Sequence, residues 1–200
     1  MADLAPRHVL VRHGSRKSRR VALTFDDGPD ALTPRYLDLL DRLAVRATFF
    51  LIGESCARSP GTVREIVARG HEVASHGHTH TIFPSLSARE LTGELSRVQE
   101  LIPPSERRRP LVRPPRGVVS PASLLRCAMA GYTTVLWSLD SDDCRTKSAA
   151  EVARRASGAA PGEIVLLHEG QEWTLDALPA IVASLTGAGL ELVTVGEMLG

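Results

Sequence analysis

Short β-prone apolar runs alternate with amphipathic stretches along this chain of 200 residues. The apolar runs fall at residues 21–25, 47–52, 72–75, 111–113, 134–138, 164–168 and 190–195. Between them lie helical patterns. Leu37, Leu40 and Leu43 recur at three-residue spacing, and Leu175, Leu178, Ile181 and Leu185 at three and four, which puts each set on one face of a helix. Asp30 to Thr33 ahead of Pro34 reads as a helix start with the proline in its first turn. Strand and helix alternating through short connections predict a parallel sheet, wound open or closed on itself. There is no internal repeat and no low-complexity segment. The longest irregular piece, residues 103–110, is bounded by prolines and rich in arginine, and reads as a surface connection.

Composition narrows the reading. A hydrophobic content of 43% and a formal net charge of +1 describe a soluble globular chain, long enough for one domain with a full core. That balance gives no reason to expect a nucleic-acid partner. The arginines are scattered apart from clusters at residues 16–20 and 107–109, both read as solvated surface charge. Residues 1–20 lack the apolar core of a signal peptide, and no stretch approaches the length of a membrane span. The expectation is a cytoplasmic protein as given, or an exported one if the sequence is a domain excised from a longer chain. Cys56, Cys127 and Cys144 are an odd number at wide spacing, which suggests neither a disulfide framework nor a zinc ribbon. Cys56 and Cys127 read as core or edge filler.

Residue types suited to chemistry gather where the apolar runs end. Thr24-Phe25-Asp26-Asp27-Gly28-Pro29 sets two adjacent carboxylates between a strand and a Gly-Pro turn, where they repel unless they share a cation or a proton. Ser75-His76-Gly77-His78-Thr79-His80 follows the run at 72–75. On a helical turn the four-residue spacing of His76 and His80 brings both imidazoles to one face, as a divalent cation requires, while His78 points elsewhere. Two histidines and one aspartate make three protein ligands and leave positions open, whereas closed structural sites use four.

Three further strand ends add to the pattern. Val112-Arg113-Pro114-Pro115-Arg116-Gly117 offers Arg113 as a bidentate partner that keeps a carboxylate ionised. Trp137-Ser138-Leu139-Asp140-Ser141-Asp142-Asp143-Cys144 is an acidic turn, with Trp137 read as core. Ile164-Val165-Leu166-Leu167-His168-Glu169-Gly170 delivers a histidine well placed to donate a proton to a leaving group.

These five stretches, in this order, resemble the motifs of the polysaccharide deacetylases, the carbohydrate esterase group with the NodB homology domain. Residues 46–53 also look like that family's second strand, and the resemblance runs from about residue 21 to the carboxyl terminus. It implies an α/β fold, a distorted and incomplete (β/α) barrel of about seven parallel strands with its site at their carboxyl ends. It divides the chain into an amino-terminal extension at 1–20 and a catalytic domain at 21–200. By position, Asp27, His76 and His80 resemble the ligands of one divalent metal ion, zinc in the first place, with cobalt, nickel or manganese as alternatives. Asp26 resembles the general base, Arg113 the residue that tethers it, and His168 the general acid. Asp143 resembles the partner that orients His168, with Asp140 as the other candidate, and Leu166 the apolar residue that faces the acetyl methyl.

The implied activity is hydrolysis of the N-acetyl group of an acetylated amino sugar to free amine and acetate, with water activated by the metal as nucleophile. The ion and a backbone N–H near Arg116 would stabilise the oxyanion. Alternatives are an O-acetyl esterase or another amide hydrolase on the same barrel, and a non-catalytic carbohydrate-binding homologue. The third and fourth motifs depart from the family: Arg116 and Cys144 stand where aromatic residues are usual. Either another residue such as Trp173 fills the pocket wall, or the substrate differs from the usual N-acetylglucosamine polymer. Arg116 reads as a solvent-exposed arginine, with contact to an anionic substrate such as a nucleotide-sugar or phosphorylated sugar as the alternative. The oligomeric state is not legible in the sequence.

Overall fold

Seven successive residues, Arg20–Asp26, form a strand that is buried along nearly its whole length, which only a strand covered on both faces can be. In the computed structural model, which describes residues 6–104 and 107–200, this strand is the centre of one sheet of nine. The strands are β1 (Leu10–Val11), β2 (Arg20–Asp26), β3 (Thr48–Leu51), β4 (Glu72–Ser75), β5 (Leu111–Val112), β6 (Thr133–Val135), β7 (Leu139–Asp140), β8 (Ile164–His168) and β9 (Glu191–Val193). Their spatial order is β1-β6-β5-β4-β3-β2-β8-β7, with β9 joined to β2, and every ladder between them is parallel. The sheet is therefore an open barrel. Seven of these strands coincide with the apolar runs, and β1 and β7 are additions of two residues each.

Parallel pairing puts every carboxyl end at one edge. The β2–β8 register sets Asp26 opposite His168, and β2–β3 sets Asp26 opposite Phe50. Helices cover the outer face. Thr33–Arg42 begins where Asp30 Oδ1 accepts from the N–H groups of Leu32 (2.7 Å) and Thr33 (3.1 Å), with Pro34 in the first turn. It buries Tyr36, Leu37 and Leu40. The helix Glu172–Gly187 buries Leu175, Leu178, Ile181 and Leu185, the spacing read from the sequence. Both sets join Phe25, Phe49, Val165 and Leu167 in the main core. Cys56 and Cys127 are buried, and Cys144 is exposed. Residues 1–5 of the expected extension and 105–106 of the irregular loop lie outside the described residues. No helix of the described residues is long and apolar enough to cross a membrane.

Candidate active site

Asp26 and Asp27 part company through the backbone. Asp26 completes β2 and is 3% exposed, whereas Asp27 takes a left-handed φ of 77° and swings its carboxylate outward. Arg113, fully buried just past β5, donates from one Nη to Asp26 Oδ1 (2.6 Å) and to Thr24 Oγ1 (2.8 Å). Thr24 in turn donates to the Val165 carbonyl at 2.7 Å. The guanidinium lies 4.0 Å from the centre of the Phe50 ring. Burial lowers the Arg113 pKa and the Asp26 carboxylate opposes that shift, so each ion is held by the other.

His76 and His80 converge without a helical turn. They follow β4 in a loop, bent by Gly77 at φ 80° and by His80 itself at φ 59°. The expected helical geometry is thus replaced by two left-handed residues. Glu94 fixes that loop by accepting from the N–H groups of His78 (2.7 Å) and Thr79 (2.9 Å). His78 packs on Gly53, where a Cβ would fall 2.3 Å from its Nδ1. His76 Nδ1 donates to the Arg113 carbonyl at 2.8 Å, which turns the Nε2 lone pair toward Asp27.

The donor set fits a divalent cation. Asp27 Oδ1 lies 3.5 Å from His76 Nε2 and 3.2 Å from His80 Nε2, yet among the described residues this buried oxygen has no hydrogen bond of good geometry. One ligand atom from each of the three residues falls within 4.8 Å of the others. Burial pushes the His76 pKa down against the pull of Asp26 and Asp27, leaving the neutral imidazole a metal needs. Burial also opposes the charge of Asp27, but His80, His76 and His168 together hold its carboxyl below the ordinary carboxylate range.

Across the cleft, His168 closes β8. Its Nδ1 donates to Asp143 Oδ1 (2.7 Å), and its backbone N–H donates to Asp143 Oδ2 (2.8 Å). Asp143 is fully buried and also accepts from Cys144 N–H (2.9 Å) and Thr174 Oγ1 (2.8 Å). Burial works against a charged His168, but the hydrogen bonds to Asp143 and Cys144 and the charges of Asp143 and Asp26 outweigh it and raise its pKa to about 11. Asp140, the other candidate partner, is exposed and accepts from the Asp142 N–H instead.

A cleft of about 630 Å³ joins these groups and is also lined by Leu166, Arg116, Trp137 and Cys144. Two expectations change here. Trp137 is not simply core: β6 stops at Val135, and the indole past it lines the cleft, stacked so close to Gly117 that a Cβ there would fall 2.4 Å from the ring. Trp173 does not line the cleft; its Nε1 donates to the Asp143 carbonyl at 2.8 Å and so braces His168 from behind. Arg116 holds φ 57°, and its exposed side chain has no ion pair among the described residues. Cys144 Sγ accepts from Gln171 Nε2 at 3.1 Å.

The profile of the family described as polysaccharide deacetylase matches residues 13–135. The chain belongs to the polysaccharide deacetylase family. It is 33% identical to a peptidoglycan-N-acetylglucosamine deacetylase of Bacillus cereus over 98% of this chain and 96% of that protein. It is also 33% identical to the peptidoglycan-N-acetylglucosamine deacetylase PgdA of Listeria monocytogenes, over 93% of this chain but only 40% of that longer protein. A crystal structure of a peptidoglycan N-acetylglucosamine deacetylase in complex with 4-naphthalen-1-yl-N-oxidanyl-benzamide superposes with a TM-score of 0.88 at 29% identity, covering 96% of this chain and 93% of that one.

One group of this polysaccharide deacetylase family member escaped the sequence reading. Glu169, next to His168, is 4% exposed, and its Oε1 accepts from Thr33 Oγ1 while its Oε2 has no hydrogen-bond partner among the described residues. It presses on the turn after Asp27: a Cβ at Gly28 would fall 1.5 Å from Oε2. The signal was present, a carboxylate directly after His168 at the end of an apolar run, but that stretch was read for its histidine alone. Burial, helped by Asp30, Asp27 and Asp26 and opposed by Thr33, raises its pKa from 4.5 to about 8. Between those values the native state keeps a proton that the unfolded chain has released. This group's contribution to stability therefore falls as pH rises through that window, by up to about 1.4 kcal/mol per pH unit. Denaturant unfolding of the metal-free protein is expected to show that decline, and Glu169→Gln to flatten it. An equal slope in the variant would assign the decline to other groups.

Proposed function

We propose that this chain is a divalent-metal-dependent deacetylase that hydrolyses the N-acetyl group of an acetylated amino sugar to free amine and acetate. The observation that supports it most is a single cleft with a two-histidine, one-aspartate set between a tethered carboxylate and a tethered imidazole. A divalent cation held by Asp27, His76 and His80, zinc above all for this donor set, would supply a Lewis acid for the amide oxygen and acidify water in the cleft. Asp26 takes the proton of the attacking water at Oδ2, since Oδ1 is engaged by Arg113. His168, with Nδ1 committed to Asp143, delivers the Nε2 proton to the departing nitrogen. An amide needs that step more than an ester does, because an amine anion leaves poorly. Leu166 offers an apolar contact for the acetyl methyl and Trp137 a flat wall for the sugar ring. The backbone N–H near Arg116 is the chain's own donor for the developing oxyanion. N-acetylglucosamine polymers are the first substrates to try, given the names of the relatives.

The test pairs metal analysis with acetate release from chitooligosaccharides, peptidoglycan fragments, nucleotide-sugars and O-acetylated sugars. Asp27→Ala, His76→Ala and His80→Ala are each expected to lose stoichiometric metal and activity together; metal retained at wild-type level in any of them contradicts that ligand. Acetate from the O-acetylated sugars alone would favour the esterase reading. Metal binding with no acetate from any substrate would favour a non-catalytic carbohydrate-binding role.

The acid assignment carries a pH prediction. A protonated His168 sets the alkaline limb of kcat/KM, and Asp143 supplies the hydrogen bond and charge that raise its pKa. Asp143→Asn is expected to move that limb to lower pH. An unmoved limb in a folded variant removes His168 as the acid.

A further inference from the structure

A second cleft, of about 1330 Å³, opens at the other edge of the sheet. Arg46, His71 and Arg109 in its wall each stand one or two residues before β3, β4 and β5, so it lies at the amino ends of the strands, opposite the active site. Three stretches far apart in sequence bring arginines to it: Arg7, Arg46, and the run Arg107 to Arg109. Glu72 and Glu197 are the acidic residues that line it. Five arginines against two glutamates leave a formal +3, on a chain whose total is +1, so the remainder of the chain carries −2. Counting Glu106, the sequence neighbour of the arginine run, still leaves +2.

Part of that charge is compensated from within, at Arg46 and beside Arg107. Glu197 is taken by Arg46 at 2.6 Å. Glu72, half-buried, accepts from Thr48 Oγ1 and the Gly196 N–H, and burial raises its pKa despite those bonds and the nearby Arg107 charge. Arg109 donates to the neutral carbonyls of Ala128 and Tyr132, and Arg7 to that of His13, so neither meets a counter-ion in these bonds. Arg108 is exposed. The sequence reading of 107–109 as ordinary surface charge could not include this convergence, because Arg7 and Arg46 reach the same cleft only through the fold.

We propose that this cleft binds a linear, phosphate-bearing polyanion on the face opposite the active site. Guanidinium forks match phosphate oxygens two at a time, and a cleft of this size, with arginines from three stretches, exceeds what one phosphate ion can fill. Such a site would hold the protein on an anionic matrix while its active-site cleft stays open to a neutral glycan.

Titration of the full chain with polyphosphate tests this. Binding is expected, with an affinity that falls steeply with salt as counter-ions are released. Arg7→Glu combined with Arg108→Glu is expected to weaken it at least tenfold, while thermal melting and acetate release from a small neutral chitooligosaccharide stay unchanged; Arg108→Gln alone should give a smaller loss. Absence of binding at low salt, salt-independent binding, or affinity unchanged by both variants would overturn the site. Orthophosphate binding as tightly as polyphosphate would overturn the polymer, and polyglutamate binding as tightly would overturn the preference for phosphate.

Discussion

Asp26→Asn is expected to lower kcat by about two to four orders of magnitude while the protein keeps its metal. The side chain sits where no other group can replace it: Oδ1 is bonded to Arg113, and Oδ2 lies 3.8 Å from His76 Nε2, at the edge of the proposed metal set rather than inside it. Asparagine keeps an oxygen for Arg113 to bond and nearly the same volume, so the fold survives with some loss of stability. It has no basic lone pair to take a proton. Asp27→Asn makes the contrast, since that oxygen faces both histidines, and there metal loss is expected to precede any effect on turnover. Steady-state kinetics with metal analysis on both variants separates the roles. Turnover near wild type in Asp26→Asn removes it as the base.

The adjacency of Asp26 and Asp27 was legible in the sequence, but the means of separating their roles was not. A left-handed φ on a non-glycine residue leaves no periodic trace; at Asp27 it parts the two carboxylates, and at His80, together with Gly77, it does the work that a helical turn was expected to do. Long central strands were readable because β2 carries Val21, Ala22, Leu23 and Phe25, and β8 runs apolar from Ile164 to Leu167. The pairs Leu10–Val11 and Leu139–Asp140 are too short to show any period, and they join the sheet by pairing with β6 and β8. Trp137 and Trp173 exchanged expected places because an aromatic side chain suits a pocket wall and a packed brace equally well. What decided between them was where β6 ends and what the Trp173 N–H found to bond. Glu169 was passed over because burial of a carboxylate is a property of the fold around it and not of its neighbours in sequence.

Arg113→Leu is expected to destabilise the protein by about 3–5 kcal/mol, the usual cost of removing one partner from a buried ion pair. What remains is the Asp26 carboxylate at 3% exposure, stripped of its cation and of its shortest hydrogen bond. Thr24 Oγ1 also loses a donor. The loss is an uncompensated charge more than a missing attraction, and this makes a second substitution informative. Asp26→Leu added to Arg113→Leu removes that charge, and the double variant is expected to be clearly more stable than the sum of the two single losses predicts, though inactive. Stability and catalysis thus part: the pair would hold the proposed base in place for proton transfer, and an apolar pair of similar volume can fill the same space. Denaturant unfolding of the four metal-free proteins measures the coupling. Additive losses within about 0.5 kcal/mol would mean that Arg113 serves packing against Phe50 and not the charge of Asp26.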